Sequence, residues 1–327
     1  LTSGVPSAEK AIACKRLAVL GDKTAVPALA PLLADPELAS WARIALEAIP
    51  DAEAADALRA ALGTLKGTLR VGAINSLGVR REGGSAGALT ALLADADPDA
   101  ASAAAVALGR IGGPAAVAAL SKSLAGAPAA VKPAVAEGCL VCAARFLDAG
   151  AFDDAARLYE TVRGASIAAP LTLEATRGLI LARRDAGLPL LVEQLRSADK
   201  ASFRIGLRTA REVVGDRVAR MLLDELARTA PERKPYLFYV LADRGDAAAQ
   251  PVALSAAREG AAPVRIAAMA VLERLRDPAS LPVVLASAAD SDPDAAGAAR
   301  TALARWPGAE VDAALLAALQ APEQAVR

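Results

Sequence analysis

The sequence is punctuated at a nearly constant interval. Glycines recur at Gly21, Gly83, Gly112, Gly150, Gly187, Gly215, Gly245 and Gly308. The first and last of these are 287 residues apart. Nine repeats over that distance give a mean period of about 32 residues, which suits one helix pair. Repeats two and nine lack the glycine and carry Asp51 and Asp277 near its place. Half a period away stands a second mark: Asp35-Pro36, Asp97-Pro98 and Asp292-Pro293, with weaker copies at Ala127-Pro128, Ala230-Pro231 and Ala262-Pro263. An aspartate accepts hydrogen bonds from the free N–H groups that open a helix. Proline fits the first helical position, where its missing N–H costs nothing. Glycine takes the left-handed conformation just beyond a helix end. Each unit therefore reads as an Asp-Pro start, a first helix, a glycine turn and a second helix.

Between the marks the apolar residues keep helical spacing. Val26, Leu29 and Leu33 share a face, as do Val117, Leu120 and Leu124. Leu191 with Leu195, and Leu315 with Leu319, repeat the four-residue step, and Val264, Ala268, Val271 and Leu275 do so in a first helix. One such pair cannot bury its own apolar stripe, so neighbours must bury it for each other. Hydrophobic residues make up 54% of the chain and aromatic ones only 3%. Alanine and leucine dominate, as close-packed repetitive helices require. The expectation is an all-α, right-handed α-solenoid (an alpha-alpha superhelix) of about ten stacked helix pairs, running as one domain over residues 1–327. The chain opens on Leu1, and residues 321–327 read as the start of another repeat. A fragment of a longer polypeptide is expected.

The pattern resembles short HEAT-like repeats of the kind found in bilin-lyase-related bacterial proteins. The segments that carry the resemblance are Asp22 to Leu29, Ala107 to Gly112 and Val264 to Leu272. Around Cys139, Cys142, Ala143, Phe146, Gly150, Phe152, Ala155 and Tyr159 the spacing looks like a tetratricopeptide unit, a longer helix pair. There the glycine interval stretches to 38 and 37 residues. The resemblance implies that second helices line the inner face of the array, with Arg157, Arg196, Arg217, Arg220 and Arg228 as candidate contacts there. It also implies that the basic residues early in first helices, namely Arg43, Arg70, Lys132, Arg204, Arg265 and Arg327, pair with an acidic residue of a neighbouring repeat. Guanidinium geometry suits such pairing.

Histidine is absent from the sequence. That removes Ser-His-Asp and Cys-His nucleophile activation and the commonest metal ligand. HEAT-like hydroxylases with His-Glu iron ligands are excluded on the same ground. The three cysteines are too few for a disulfide framework. Cys139 and Cys142 form a C-x-x-C, but they fall on the apolar stripe of Val131, Val135 and Phe146, so core packing is the expected role. Asp95-Ala96-Asp97-Pro98-Asp99 and Asp290-Ser291-Asp292-Pro293-Asp294 open like calcium loops. The glycine and glutamate that such a loop requires are replaced by Ala100 and Val106, and by Ala295 and Thr301. Helix capping accounts for the acids. No metal or cofactor is expected.

Lys plus Arg and Asp plus Glu each number 37, so the chain as a whole lacks the basic excess of a nucleic-acid binder. No run of 18 uncharged apolar residues suggests a membrane span. Locally, Arg163 to Lys234 holds 14 basic and 9 acidic residues. Arg204, Arg208 and Arg211 follow one side of a helix, and Arg217 and Arg220 come next. Three of the aromatics fall within four residues, at Tyr236, Phe238 and Tyr239, and at least one must leave the core seam. Arg208, Arg211, Arg217, Arg220, Tyr236, Phe238 and Tyr239, with Arg157, Arg196 and Arg228, are the candidate protein-binding set. The expected function is a non-catalytic scaffold for a partner protein or an adjacent domain. Two alternatives use the same fold. One is a HEAT-like DNA glycosylase or nucleic-acid binder acting through the basic stretch from Arg204 to Arg220, and the other is a bilin-lyase-like handling of chromophore.

Overall fold

A computed structural model describes residues 1–2 and 4–320; the expected extra repeat at 321–327, with Arg327, lies outside the described residues. Among the described residues the structure is all helix and turn, with no strand. The chain divides into two compact units, Leu1–Ala182 and Arg183–Arg327.

The first unit holds five helix pairs in succession. They are α1 (Ser7–Leu20) with the short α2 (Val26–Leu29), which runs on as a 3-10 turn, α3 (Ala39–Ala48) with α4 (Ala52–Ala61), α5 (Gly67–Arg80) with α6 (Ala86–Leu92), α7 (Pro98–Ile111) with α8 (Gly113–Gly126), and α9 (Lys132–Asp148) with α10 (Phe152–Arg163). A further first helix, α11 (Ala169–Arg183), follows. First helices α1, α3, α5, α7 and α9 pack side by side in one layer, and second helices form the other. The stretched glycine interval is taken up by α9, which is 17 residues long.

The second unit opens with α12 (Leu188–Arg196) and continues with α13 (Lys200–Glu212) and α14 (Asp216–Arg228), α15 (Lys234–Arg244) and α16 (Gln250–Glu259), α17 (Ala262–Leu275) and α18 (Leu281–Ser287), and α19 (Pro293–Ala304) and α20 (Ala309–Leu319). Here α13, α15, α17 and α19 pack in succession, and α12 lies against α14 as α16 lies against α18. The apolar stripes fall where the spacing puts them: Leu29, Leu33, Leu120, Leu124, Leu191, Leu195, Val264, Ala268 and Val271 are all buried. Leu315 departs from this and is exposed, while the side chain of Leu319 lies outside the described residues.

The aspartate marks work as caps. Asp97 accepts from the Asp99 N–H at 3.0 Å, and Asp292 from those of Asp294 and Ala295 at 3.1 and 3.0 Å. Each is followed by proline at the first helical position. Asp35 also accepts from the Glu37 N–H, but α3 begins only at Ala39, after an intervening turn. The glycine marks are less uniform. Gly112, Gly150 and Gly245 have positive φ, whereas Gly21 and Gly187 do not. After α5 and α17 the left-handed cap is an arginine, Arg81 or Arg276, and Arg184 adopts the same conformation. The glycine of those repeats, where one exists, sits slightly further along.

Neighbouring first helices approach until their backbones touch. A β-carbon added at Gly109 of α7 would lie 2.7 Å from the Gly138 Cα of α9, and one at Gly138 would lie 2.6 Å from the Ala105 carbonyl oxygen. Cys142 sits above this crossing, its Sγ 3.6 Å from the Gly109 carbonyl oxygen. Only hydrogen fits at either glycine. The variant G138A is therefore expected to lose about 1–3 kcal/mol of stability through overpacking, read as a lower urea midpoint with helical circular dichroism retained.

Candidate protein-binding surface

Two sets of arginines stitch one repeat to the next. The first set lies near the start of first helices. Arg70 of α5 reaches Asp95 at 2.9 Å, and Arg265 of α17 grips both carboxylate oxygens of Asp290 at 2.7 and 2.8 Å. The same two aspartates accept from the N–H of Asp97 and Asp292, so each acid joins an arginine to the cap of the following helix. The hydrogen bonds from Arg265, with that backbone bond, hold the Asp290 carboxyl below its usual range. The ladder expected from the family resemblance is thus present at Arg70 and Arg265 but not throughout. Arg43 lies instead against Gly72, donating to its carbonyl oxygen and to Ser76 Oγ. Lys132 and Arg204 have no ion-pair partner among the described residues, because no acid stands opposite them as Asp95 and Asp290 do.

The second set was not legible in the repeat pattern. Arg80, Arg145 and Arg244 sit in the last turns of α5, α9 and α15. Each turns its guanidinium onto the carbonyl groups that end the preceding first helix. Arg80 donates to Leu46 at 2.6 Å, to Ile49 and to Asp51. Arg145 donates to Arg110 and Ile111 at 2.8 and 2.9 Å, and Arg244 to Ala210 at 2.9 Å. Apart from Asp51, which opens α4 and accepts from the Ala54 N–H, these carbonyls have no helical partner of their own, and the helix dipole favours a cation there.

The candidate residues fall on both layers. On second helices of the second unit, Arg196 makes a two-point contact with Glu225, Nε and Nη2 donating at 2.8 and 2.7 Å. Glu225 is buried, and Arg228 approaches the same carboxylate at 3.8 Å. The hydrogen bonds that Arg196 donates to Glu225, with the negative charge there, raise the Arg196 pKa. Arg217 reaches back to Asp185 at 3.2 Å. Arg220 is exposed and has no ion-pair partner among the described residues. In the first-helix layer, Arg208 bonds Glu212 at 3.2 Å and Arg211 bonds Asp243 of α15 at 2.6 Å. The stretch from Arg204 to Arg220 is therefore split between two helix layers and largely neutralised by acids of the fold. In the first unit, Arg157 pairs with Asp154 and lines a groove with Val117, Phe146 and Leu158.

The aromatic trio divides as helix geometry requires. Phe238 is 1% exposed and belongs to the core, while Tyr236 and Tyr239 are 51% and 40% exposed. Tyr236 meets Phe203 edge to face at 5.8 Å, and the Arg233 guanidinium stacks 4.4 Å above the same Phe203 ring. That arginine is fixed by a bond to the Ser197 carbonyl oxygen at 2.8 Å. Two exposed tyrosines on one face of α15 make an amphipathic surface of the kind enriched in protein interfaces.

The C-x-x-C is interior. Cys139 and Cys142 are free and buried. Burial pushes the Cys139 thiol up to about 12 and raises that of Cys142. No group of three or more His, Cys, Asp or Glu residues placed to hold a metal ion occurs among the described residues. No helix among them is long and apolar enough to cross a membrane.

The segment from residue 66 to residue 138, which runs from α5 into α9, matches the family model for HEAT repeats. Solved structures align with most of the chain. The karyopherin Kap121p bound to Pho4p aligns with a TM-score of 0.56 at 12% identity over 93% of this chain and 44% of that one. Kap121p bound to Nup53p aligns at 0.55 and 13% identity over 98% of this chain and 46% of the other. The chain thus spans less than half the length of these karyopherin chains, and at such identity the likeness is one of fold. Human deoxyhypusine hydroxylase in complex with glycerol aligns over 87% of this chain and 96% of its own at 21% identity, with a TM-score of 0.35. No curated protein matches the chain in sequence.

Two outcomes follow from this geometry. R196A strands the buried Glu225 carboxylate, so it should lower the denaturation midpoint clearly more than R217A, whose pair with Asp185 is exposed. Iodoacetamide at pH 8 should leave Cys139 and Cys142 unmodified in the native protein and modify them once urea unfolds it, as mass spectrometry would record.

Proposed function

We propose that the chain is a non-catalytic scaffold that presents its helix-repeat surfaces to a partner protein. The observation that carries this reading is the mixed charge of the candidate surface. Arg196, Arg208, Arg211 and Arg217 are each matched by a carboxylate of the fold. A nucleic-acid groove needs arginines and lysines left available for phosphates. Interleaved charges with exposed tyrosines suit a protein surface instead.

Two further facts support the reading. Histidine is missing from the sequence, and the two thiols of the C-x-x-C are buried and held protonated. The usual nucleophile–base pairs therefore have no candidates here. The same fold in Kap121p is seen bound to other proteins, Pho4p and Nup53p among them.

The test sets this reading against its main rival. Fluorescence anisotropy with single- and double-stranded oligonucleotides at about 150 mM salt should give binding no tighter than the non-specific range of roughly 1–100 µM. Submicromolar binding that weakens steeply with added salt, and that is lost in a variant carrying R204A and R220A, would replace the scaffold with a nucleic-acid binder.

A further inference from the structure

We propose that the first helices of the three opening repeats, α1, α3 and α5, form a contact face for a second copy of this chain. The inference goes beyond the scaffold reading and does not depend on it.

Thirteen large apolar side chains are exposed among the described residues. Seven of them precede residue 80, and none lies between Val79 and Val214. Six of the seven stand on first helices: Ile12, Val19 and Leu20 on α1, Trp41 and Ile44 on α3, and Val79 on α5. The second helices α2, α4 and α6 contribute none. Because α1, α3 and α5 pack side by side, the exposed apolar groups collect on one layer of one end of the first unit. Single exposed apolar residues are ordinary, whereas a gathered set marks a surface that another molecule covers. Trp41 and Ile44, at 39% and 45% exposure, are the largest groups on the middle helix.

The charge of this face selects the occupant. A two-fold contact sets a surface against itself, so a free charge near its centre would meet its like. Neither α3 nor α5 offers one. Arg43 donates to the Gly72 carbonyl oxygen and to Ser76 Oγ, and Ser76 donates to Glu47 at 2.6 Å. Arg70 is paired with Asp95, and Arg80 is spent on the carbonyls that end α3. An acidic or basic partner finds no counter-charge there, while an identical uncharged face meets no penalty. The exposed charges of the layer, Glu9, Lys15 and Arg16, lie on α1 at its edge, as the polar rim of an interface does. They carry both signs, whereas a helix that lies on a lipid surface is rich in cations alone.

The size is adequate. Helices of 14, 10 and 14 residues run for about 21, 15 and 21 Å, and three side by side cover about 25–30 Å. The face is on the order of 500 Å² a side, about 1,000 Å² for the pair, at the small end of specific interfaces. A reversible dimer of micromolar affinity suits that area.

The test is sedimentation velocity on the full chain between roughly 1 and 100 µM. The mean mass should rise from that of one chain toward that of two. I44D and V79D each plant a charge that must be buried against its copy, so each should raise the dissociation constant about tenfold or more. Both sites are exposed, so circular dichroism and the urea midpoint should stay close to those of the parent. Y236D, on the second unit, should change the constant less than about twofold. Acrylamide quenching of tryptophan fluorescence should fall as the parent is concentrated but not as I44D is, because Trp41 is the exposed tryptophan and Trp306 is buried. A chain that keeps the mass of a monomer at the highest concentration would overturn the proposal. So would association that I44D and V79D leave unchanged, or that Y236D abolishes. Binding to phosphatidylserine vesicles that I44D removes would assign the face to a lipid surface instead.

Discussion

The carbonyl groups that finish α3, α7 and α13 have no partner in their own helices, and a guanidinium from the next first helix supplies it. Arg80, Arg145 and Arg244 each do this across one repeat. The consequence is geometric as well as energetic. A planar fork bonded to two or three carbonyls fixes both the spacing and the angle between neighbouring first helices. With that angle fixed, Gly109 and Gly138 can meet backbone to backbone, and Cys142 can close over the crossing. The second-helix layer then follows, because each second helix is tied to its first by a short turn.

The charges of the candidate surface belong to the same economy of neighbours. Arg211 reaches forward to Asp243, and Arg217 reaches back to Asp185. Arg196, Arg211 and Arg217 are committed to neighbouring helices or turns, whereas Arg157, Arg208 and Arg228 meet acids of their own helix. What stays open to a partner includes the exposed rings of Tyr236 and Tyr239 and the exposed Arg220.

The fold could be read along the chain because its signals are local. Asp97 and Asp292 cap the helices that follow them, and the leucines at helical spacing are buried. The interior position of the C-x-x-C followed from the stripe that contains it. Contacts between repeats were only partly legible. Arg70 and Arg265 find the aspartates expected of them, but Arg43, Lys132 and Arg204 do not, because pairing depends on what stands opposite. The stretch from Arg204 to Arg220 looked like one patch because its residues are close in sequence; the turn at Gly215 sends its halves to different layers. The left-handed caps were not legible either, because arginine does not favour that conformation. Arg81 and Arg276 stand directly after the last residues of α5 and α17, and the helix ends there whether or not glycine is present.

None of the side-chain hydrogen bonds named above reaches further than 36 residues along the chain. Within either unit these bonds therefore join a helix to its neighbours in the same or the adjacent repeat. A pull along the chain would load them one seam after another.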